Sequence, residues 1–212
     1  MKHRAQFTNL SVLLAVMLTL SAVPAVASIS YNITIDTTTL SGIDGFLDMQ
    51  YDPGVDSQSG FAAISMFTSD GTVGVEQAPL GNVTGTLPVT VTIVNDPGIN
   101  DYFTRMDFGT TLSFVLTLGG NVIESPNNSP DGSTFYFSMI GADESTPLLT
   151  TNPQGFAFEV NVNPDGTTSV NDFITSGNTI TLNVTPEPGS IGLMLFGTAF
   201  LAARARAWAR RR

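Results

Sequence analysis

The sequence of 212 residues contains no cysteine, and its single histidine, His3, lies close to the N-terminus. Cysteine and histidine supply many of the nucleophiles, general bases and zinc ligands of proteins. Their absence beyond position 3 excludes a Ser-His-Asp triad, a cysteine nucleophile and an ordinary zinc or iron site. We therefore expect a protein that is not an enzyme and that needs no cofactor.

Positive charge is also scarce in the body of the chain. Between Ser28 and Thr185 the only basic residue is Arg105, against seventeen Asp and Glu residues, so the formal charge of this region is 1 − 17 = −16. An acidic surface of this kind repels phosphate backbones, which excludes nucleic acid as a partner. It is compatible with bound cations, or with a hydrated extracellular matrix.

The N-terminal segment has the pattern of a secretory signal. Residues 2–4 are basic or histidine, residues 10–20 are apolar, and small residues occupy the two positions that a signal peptidase reads, Ala25 and Ala27. We interpret residues 1–27 as a signal peptide with a helical apolar core, cut after Ala27. Signal peptidase is thus one expected transient partner.

The C-terminal segment has three parts. Pro186, Glu187 and Pro188 precede an apolar stretch at residues 190–203, which is followed by five arginines: Arg204, Arg206, Arg210, Arg211 and Arg212. As a helix the stretch is shorter than the roughly 30 Å hydrocarbon core, but flanking arginines can extend a span by snorkelling. Arginines remain on the cytoplasmic side, so the acidic body would face outward. A plain tail anchor is one interpretation.

This tripartite tail resembles the PEP-CTERM sorting signal of Gram-negative bacteria. The resemblance implies an exported substrate of an exosortase, a membrane transpeptidase, in species that make extracellular polysaccharide. The sorting residues would be Pro186, Glu187 and Pro188 together with the five arginines, with the segment at 186–212 held transiently in the inner membrane. The body is also similar to a family of secreted PEP-CTERM proteins of undetermined role, through "GNVTGTLPVTVTIVND", "NDYFTRMDFGTTLSFVLTL", "TPLLTTNPQG" and "VNPDGTTSVNDF".

Between the two ends the sequence reads as strand, turn, strand. Apolar and polar residues alternate in "SISYNITID", "GFAAISMF", "LPVTVTIV", "TTLSFVLTL", "STFYFSMI", "GFAFEVNV" and "NTITLNV". Turn signals such as "TSDGT", "NDPGIN", "SPDGS" and "NPDGT" separate them. We predict one all-β domain at residues 28–185, an antiparallel β-sandwich resembling a jelly roll, with one short helical turn near residues 100–106.

Eight apolar residues at alternating positions are predicted to be buried or to be neighbours across strands. They are Ile29, Ile33, Val91, Ile93, Phe114, Leu116, Phe156 and Phe158.

Acidic residues are the first candidates for a site. Asp44, Asp48, Asp52 and Asp56 recur every fourth residue, and Asp143 adjoins Glu144. Two carboxylates suffice for glycoside hydrolysis, but Asp residues in turns usually bond their own backbone. Calcium binding is favoured over catalysis, because "DPGVDSQSG" and "NDPGIND" offer carboxylates and turn carbonyls.

Aromatic residues are the second candidates, because exposed rings mark many sugar-binding faces. No tryptophan precedes Trp208, and the phenylalanines fall at alternating strand positions that suit a core. Tyr51, Tyr102 and Tyr136 remain as possible stacking residues.

The functional expectation is an exported, non-catalytic protein of the cell surface or extracellular matrix, associated with polysaccharide or biofilm. A carbohydrate- or calcium-binding module is the alternative, and a glycan-active enzyme that uses carboxylates alone is the third.

Overall fold

The computed structural model describes residues 28–175 and 178–185, which form two six-stranded antiparallel sheets. The twelve strands are β1 (Ile29–Asp36), β2 (Asp44–Pro53), β3 (Phe61–Ser69), β4 (Thr72–Glu76), β5 (Val83–Thr86), β6 (Thr90–Val94), β7 (Asp101–Asp107), β8 (Thr111–Gly119), β9 (Ser133–Gly141), β10 (Phe158–Val162), β11 (Thr168–Asp172) and β12 (Ile180–Thr185). The described residues also include a 3₁₀ helix (Thr38–Leu40) and a single α-helical turn, α1 (Asn121–Glu124).

The chain crosses repeatedly from one sheet to the other. The first sheet has the order β12-β1-β8-β3-β6-β5 and the second β11-β10-β9-β2-β7-β4, so β1 and β3 lie in one sheet while β2 and β4 lie in the other. Such alternation between two packed sheets is the connectivity of Greek-key and jelly-roll proteins. The prediction of an antiparallel sandwich is confirmed.

Alternation of apolar and polar side chains along each strand builds one core between the sheets. Rings from both sheets meet there: Phe114 of β8 lies 5.4 Å from Phe137 of β9 between ring centroids. Six of the eight predicted core residues are buried, namely Ile33, Val91, Ile93, Phe114, Leu116 and Phe158. Ile29 is only half-buried at the start of β1, and Phe156 lies before β10, against Tyr136.

The helical turn predicted near residues 100–106 is wrong, because residues 101–107 form β7. Within it Tyr102, Thr104 and Met106 are buried, while their neighbours point away from the core. This is the two-residue period of a strand. The signal-peptide and C-terminal helices predicted at the two ends lie outside the described residues. Across the described part of the chain, no helix has the length and apolar character needed to cross a membrane.

Turn aspartates serve the backbone, as their sequence context predicts. Asp70 accepts hydrogen bonds from the N–H groups of Thr110 and Thr111, at 3.0 and 2.9 Å. Asp143 accepts from the N–H groups of Ser145 and Thr146. These bonds fix loops at the ends of strands, so they position neighbouring strands and leave these carboxylates engaged.

Candidate functional site

The outer face of the second sheet carries polar side chains that face one another across neighbouring strands. In β2, Leu47, Met49 and Tyr51 point into the core, so Asp48, Gln50 and Asp52 point to the outer face and are only half-buried. The same alternation in β9 and β10 turns polar residues outward, because their apolar partners fill the core.

Strand register aligns these side chains in two rows. The first row runs across five strands through Asp101, Gln50, Tyr136, Glu159 and Asn171. The second row runs beside it across four strands through Asp52, Thr134, Asn161 and Ser169. We call the nine residues of these rows the polar face.

Hydrogen bonds hold several of these side chains in fixed orientations. Asn171 Nδ2 donates to Glu159 Oε1 at 2.6 Å, and Asn161 Nδ2 donates to the same oxygen at 3.3 Å. Thr134 Oγ1 donates to Asn161 Oδ1 at 2.8 Å. Because the rotamers are already fixed, a ligand that binds here loses less conformational entropy in these side chains.

An aromatic pair stands in the middle of the polar face. The ring of Tyr136 stacks on that of Phe156, with centroids 4.3 Å apart and planes inclined by 28°. Both rings are partly exposed. Half-exposed rings offer apolar area next to polar groups, a combination that suits the faces and hydroxyls of a sugar.

A cleft of about 340 Å³ opens beside this pair. Its walls include Asp52, Thr134, Tyr136, Asn161 and Ser169, and the loops around Gly132 and Pro164 close one end. The volume lies at the lower end of the range for small-molecule sites. It therefore suits one or two sugar rings.

Two carboxyl groups interact closely at the other side of the first row. The charge of Asp48 acts on the carboxyl of Asp101, and Gln50 Nε2 donates to both carboxyl oxygens of Asp48 at 3.1 Å. Burial, followed by the charge of Asp48, raises the pKa of Asp101 to about 8. Burial also raises the pKa of Asp48 and of Asp52. Near neutral pH the folded state therefore favours the protonated form of Asp101.

A second aromatic cluster lies further along the same face. Phe46 is only 2% exposed although it points away from the main core, because Phe103 stacks on it at 4.7 Å. The guanidinium of Arg105 lies 5.3 Å from the centroid of Phe46. The only basic side chain of residues 28–185 therefore covers an aromatic ring.

The structure corrects two of the three tyrosines proposed as stacking residues. Tyr51 and Tyr102 are fully buried, and Tyr102 Oη accepts a hydrogen bond from the N–H of Leu87. Only Tyr136 is exposed enough to meet a ligand. Sequence reasoning did not single out Gln50, Thr134, Glu159, Asn161 or Asn171, although the alternating pattern of "GFAFEVNV" already places Glu159 and Asn161 on one face.

The repeated acids do not meet at one site. Asp44, Asp48 and Asp52 follow one another along β2, and Asp56 lies in the loop beyond it. Asp52 accepts a hydrogen bond from the N–H of Asn100 at 3.0 Å, so the two suggested calcium segments do lie side by side. Within residues 28–175 and 178–185, however, no group of three or more acidic side chains is arranged to hold a metal ion.

The predicted sorting and signal-peptidase residues lie outside the described part of the chain. They are Ala25, Ala27, Pro186, Glu187, Pro188, Arg204, Arg206, Arg210, Arg211 and Arg212. The described residues that come nearest to them are Ser28 and Thr185.

Taken together, the described residues define a β-sandwich domain whose second sheet has a polar outer face with an aromatic pair and a cleft. Comparison with known proteins then identifies the tail: the PEP-CTERM protein-sorting motif matches residues 184–212. The chain thus carries the sorting motif predicted from its last residues, which implies export with a membrane-anchored C-terminal signal and processing by an exosortase. Neither the curated proteins nor the solved structures include a significant match, so the comparisons supply no relative for the sandwich.

Proposed function

We propose that this chain is an exported, non-catalytic protein of the cell surface or extracellular matrix that binds neutral polysaccharide on the polar face. The observation that carries the proposal is the partly exposed Tyr136–Phe156 pair, flanked by two rows of amide, hydroxyl and carboxyl groups beside a cleft. The sorting motif supports the cellular setting, since a protein with that tail is processed at the membrane on its way out. Association with the polysaccharide of a biofilm follows from this setting.

The chemistry of the polar face matches that of a sugar. A pyranose presents apolar C–H faces, which pack on aromatic rings, and hydroxyl groups, which both donate and accept hydrogen bonds. Tyr136 and Phe156 provide the rings. Gln50 and Asn161 provide groups that donate and accept, while Asp52 provides an acceptor. Fixed amides beside a ring are thus suited to orient one sugar unit.

Charge selects the kind of polysaccharide. Residues 28–185 carry a formal charge of −16, and Arg105 is their one basic residue. A polyanionic chain would be repelled from this surface at low salt. The ligand we propose is therefore a neutral glycan or a neutral stretch of one.

Hydrolysis is not part of the proposal. Retaining and inverting glycosidases both need an exposed pair of carboxyl groups at a set separation, whereas burial is the first cause of the raised pKa of both Asp48 and Asp101. We expect the purified protein to release no reducing ends from the polysaccharide it binds. Turnover that survives repurification and disappears in Asp48→Asn would contradict this part of the proposal.

Binding is best tested with the neutral polysaccharide fraction of the producing cells, using isothermal titration calorimetry on the processed protein. Removing the stacking ring in Tyr136→Ala should weaken binding roughly tenfold, or about 1.4 kcal/mol. Thr134→Ala removes a cleft hydroxyl, and Thr92→Ala is its matched control because Thr92 lies in β6 of the first sheet. Thr134→Ala should weaken binding and Thr92→Ala should not.

Two results would overturn the proposal. One is the absence of saturable binding to any neutral fraction; the other is equal binding by the wild type and Tyr136→Ala. Tighter binding to a polyanionic fraction would contradict the charge argument alone.

A further inference from the structure

Both ends of the described domain leave the fold at the same corner. The first strand, β1, pairs with the last strand, β12, and this pairing sets Ser30 opposite Thr185 and Tyr31 opposite Val184. Thr185 is followed directly by the Pro-Glu-Pro segment of the sorting motif. In sequence, only residues 186–189 separate the last strand from the apolar stretch at residues 190–203.

The cleft of the polar face lies at this same end of the sandwich. Tyr31 Oη is 2.6 Å from Thr168 Oγ1, and the next residue, Ser169, lines the cleft. Neighbouring strands lie about 5 Å apart and packed sheets about 10 Å apart. The cleft is therefore within roughly 20 Å of the point where the chain leaves β12.

A second chain of contacts gives the same placement independently. Phe61, at the start of β3, pairs with Gly119 at the end of β8, one residue beyond the partner of Ile29. The adjacent Gly60 donates its N–H to Asn95, and Asn95 Nδ2 donates to Ser133 Oγ at 2.7 Å. Ser133 also lines the cleft. The cleft and the chain exit thus share one end of both sheets.

The tail keeps this end close to the bilayer. Ile191, the first large apolar residue of the tail, lies six residues after Thr185. A fully extended chain of that length reaches no further than about 20 Å. The nine residues of β8 span roughly 30 Å from the exit end to the opposite end. The loop at Ser41 follows the far end of β1 and is therefore much further from the membrane.

From this placement we infer that the membrane covers the cleft while the sorting tail is in place, and that removal of the tail exposes the cleft to polymers. The occupant of this end before processing is the lipid surface, from which the tether allows Thr185 to move no further than about 20 Å. The acidic loops here give the domain no affinity of its own for an anionic bilayer, so release of the tether is sufficient. The consequence for glycan binding rests on the proposed function, whereas the placement itself does not.

Absence of cysteine makes the placement directly measurable. Two exposed serines offer matched positions: Ser169→Cys in the cleft and Ser41→Cys at the opposite end. The full chain, with its tail, is incorporated into vesicles of phosphatidylethanolamine and phosphatidylglycerol. Each variant is then labelled with a large polyethylene-glycol maleimide, and the rate is divided by the rate with N-ethylmaleimide. The ratio corrects for the intrinsic reactivity of each thiol.

The expected result is a severalfold lower ratio for Ser169→Cys than for Ser41→Cys. A Gly/Ser insertion of roughly 20 residues between Thr185 and Pro186, with an average reach of about 25 Å, should bring the two ratios together. Equal ratios without the insertion, or a low ratio at Ser169→Cys that the insertion leaves unchanged, would overturn the inference. No glycan enters this assay, so it can fail while the binding experiment succeeds, and the reverse.

Discussion

Asp48 and Asp101 lie on neighbouring strands of the second sheet, and the charge of Asp48 disfavours ionisation of Asp101 on the outer face of the sandwich. Asp101 Oδ1 is buried without a hydrogen-bond partner, and the pKa of Asp101 is raised to about 8 by burial and by the negative charge of Asp48. Two ionised carboxylates repel each other, so the folded state favours the protonated form of Asp101. The pair therefore links the stability of the second sheet to pH.

This linkage predicts that the protein is less stable at pH 8 than at about pH 5. In the unfolded chain an Asp titrates near 4, whereas Asp101 in the folded state holds its proton up to about pH 8. Between these values the folded state binds more protons, so the free energy of unfolding falls as pH rises. Thermal unfolding of the processed protein, followed by circular dichroism across this range, measures the slope.

The substitution Asp101→Asn should flatten that slope, because an amide donates to Asp48 without titrating. Asp107→Asn is the matched control, since Asp107 is an exposed residue of the same strand. An equally steep slope in Asp101→Asn would show that the pair does not control the pH dependence.

At lower pH the turn aspartates set a second limit on stability. Hydrogen bonds from the Thr110 hydroxyl and from the N–H groups of Thr111 and Thr110 lower the pKa of Asp70 to about 2. A lowered pKa contributes stability that is complete above about pH 4 and is lost as pH falls through about 2. We expect Asp70→Ala to lower the melting temperature at neutral pH and to reduce the further loss on acidification.

The control for this prediction is Asp44→Ala, which removes an exposed carboxylate at the start of β2. The melting temperature of Asp44→Ala should fall as steeply on acidification as that of the wild type. If both variants behave alike, the bonds made by Asp70 do not account for the acid sensitivity.

The fold was predictable where the alternation of side chains was complete. Seven apolar runs correspond to β1, β3, β6, β8, β9, β10 and β12. The strand β2 escaped notice because its outward positions, apart from Phe46, are acids and an amide that recur every second or fourth residue, and because Gly45 and Pro53 stand near its ends. The strand β7 escaped because its outward positions include the charged residues Asp101 and Arg105, and because its remaining residues also occur in helices. Both strands form the acidic part of the polar face.

The candidate site was harder to predict than the fold, because it depends on strand register. Gln50, Tyr136 and Glu159 are far apart in sequence, and only the pairing of β2 with β9 and of β9 with β10 brings them together. A shift of one residue would turn each of them into the core. The tail, by contrast, is a contiguous motif, so its order of Pro-Glu-Pro, apolar run and arginines could be recognised directly.

The contact between the two sheets predicts that Phe114 is the core position where truncation lowers stability most. Phe114 stacks with Phe67 in its own sheet, at 6.4 Å, and approaches Phe137 of the opposite sheet. Phe114→Ala should destabilise the protein by about 3–5 kcal/mol, because the cavity cannot close between two sheets. Val115→Ala, at the next position, faces away from the core and should cost less than about 1 kcal/mol. Chemical denaturation of the two variants gives the comparison, and equal costs would contradict a core centred on Phe114.

The last prediction concerns the sorting tail and gives each of its parts a separate task. Pro186 and Pro188 disfavour helix, so the sequence predicts an extended backbone around Glu187, a shape that an enzyme groove can bind through backbone hydrogen bonds and one charged side chain. The apolar run keeps this segment at the membrane, and the arginines that follow remain on the cytoplasmic side. Intact-mass analysis of protein from the native host should find a chain that begins near Ser28 and ends close to Pro186.

Glu187→Ala should leave the whole tail in the membrane fraction. The control is Glu124→Ala, which changes an exposed glutamate of α1 and should be processed as the wild type is. Wild-type protein that retains Arg212 and stays membrane-bound in exosortase-competent cells would show that the tail is an anchor alone.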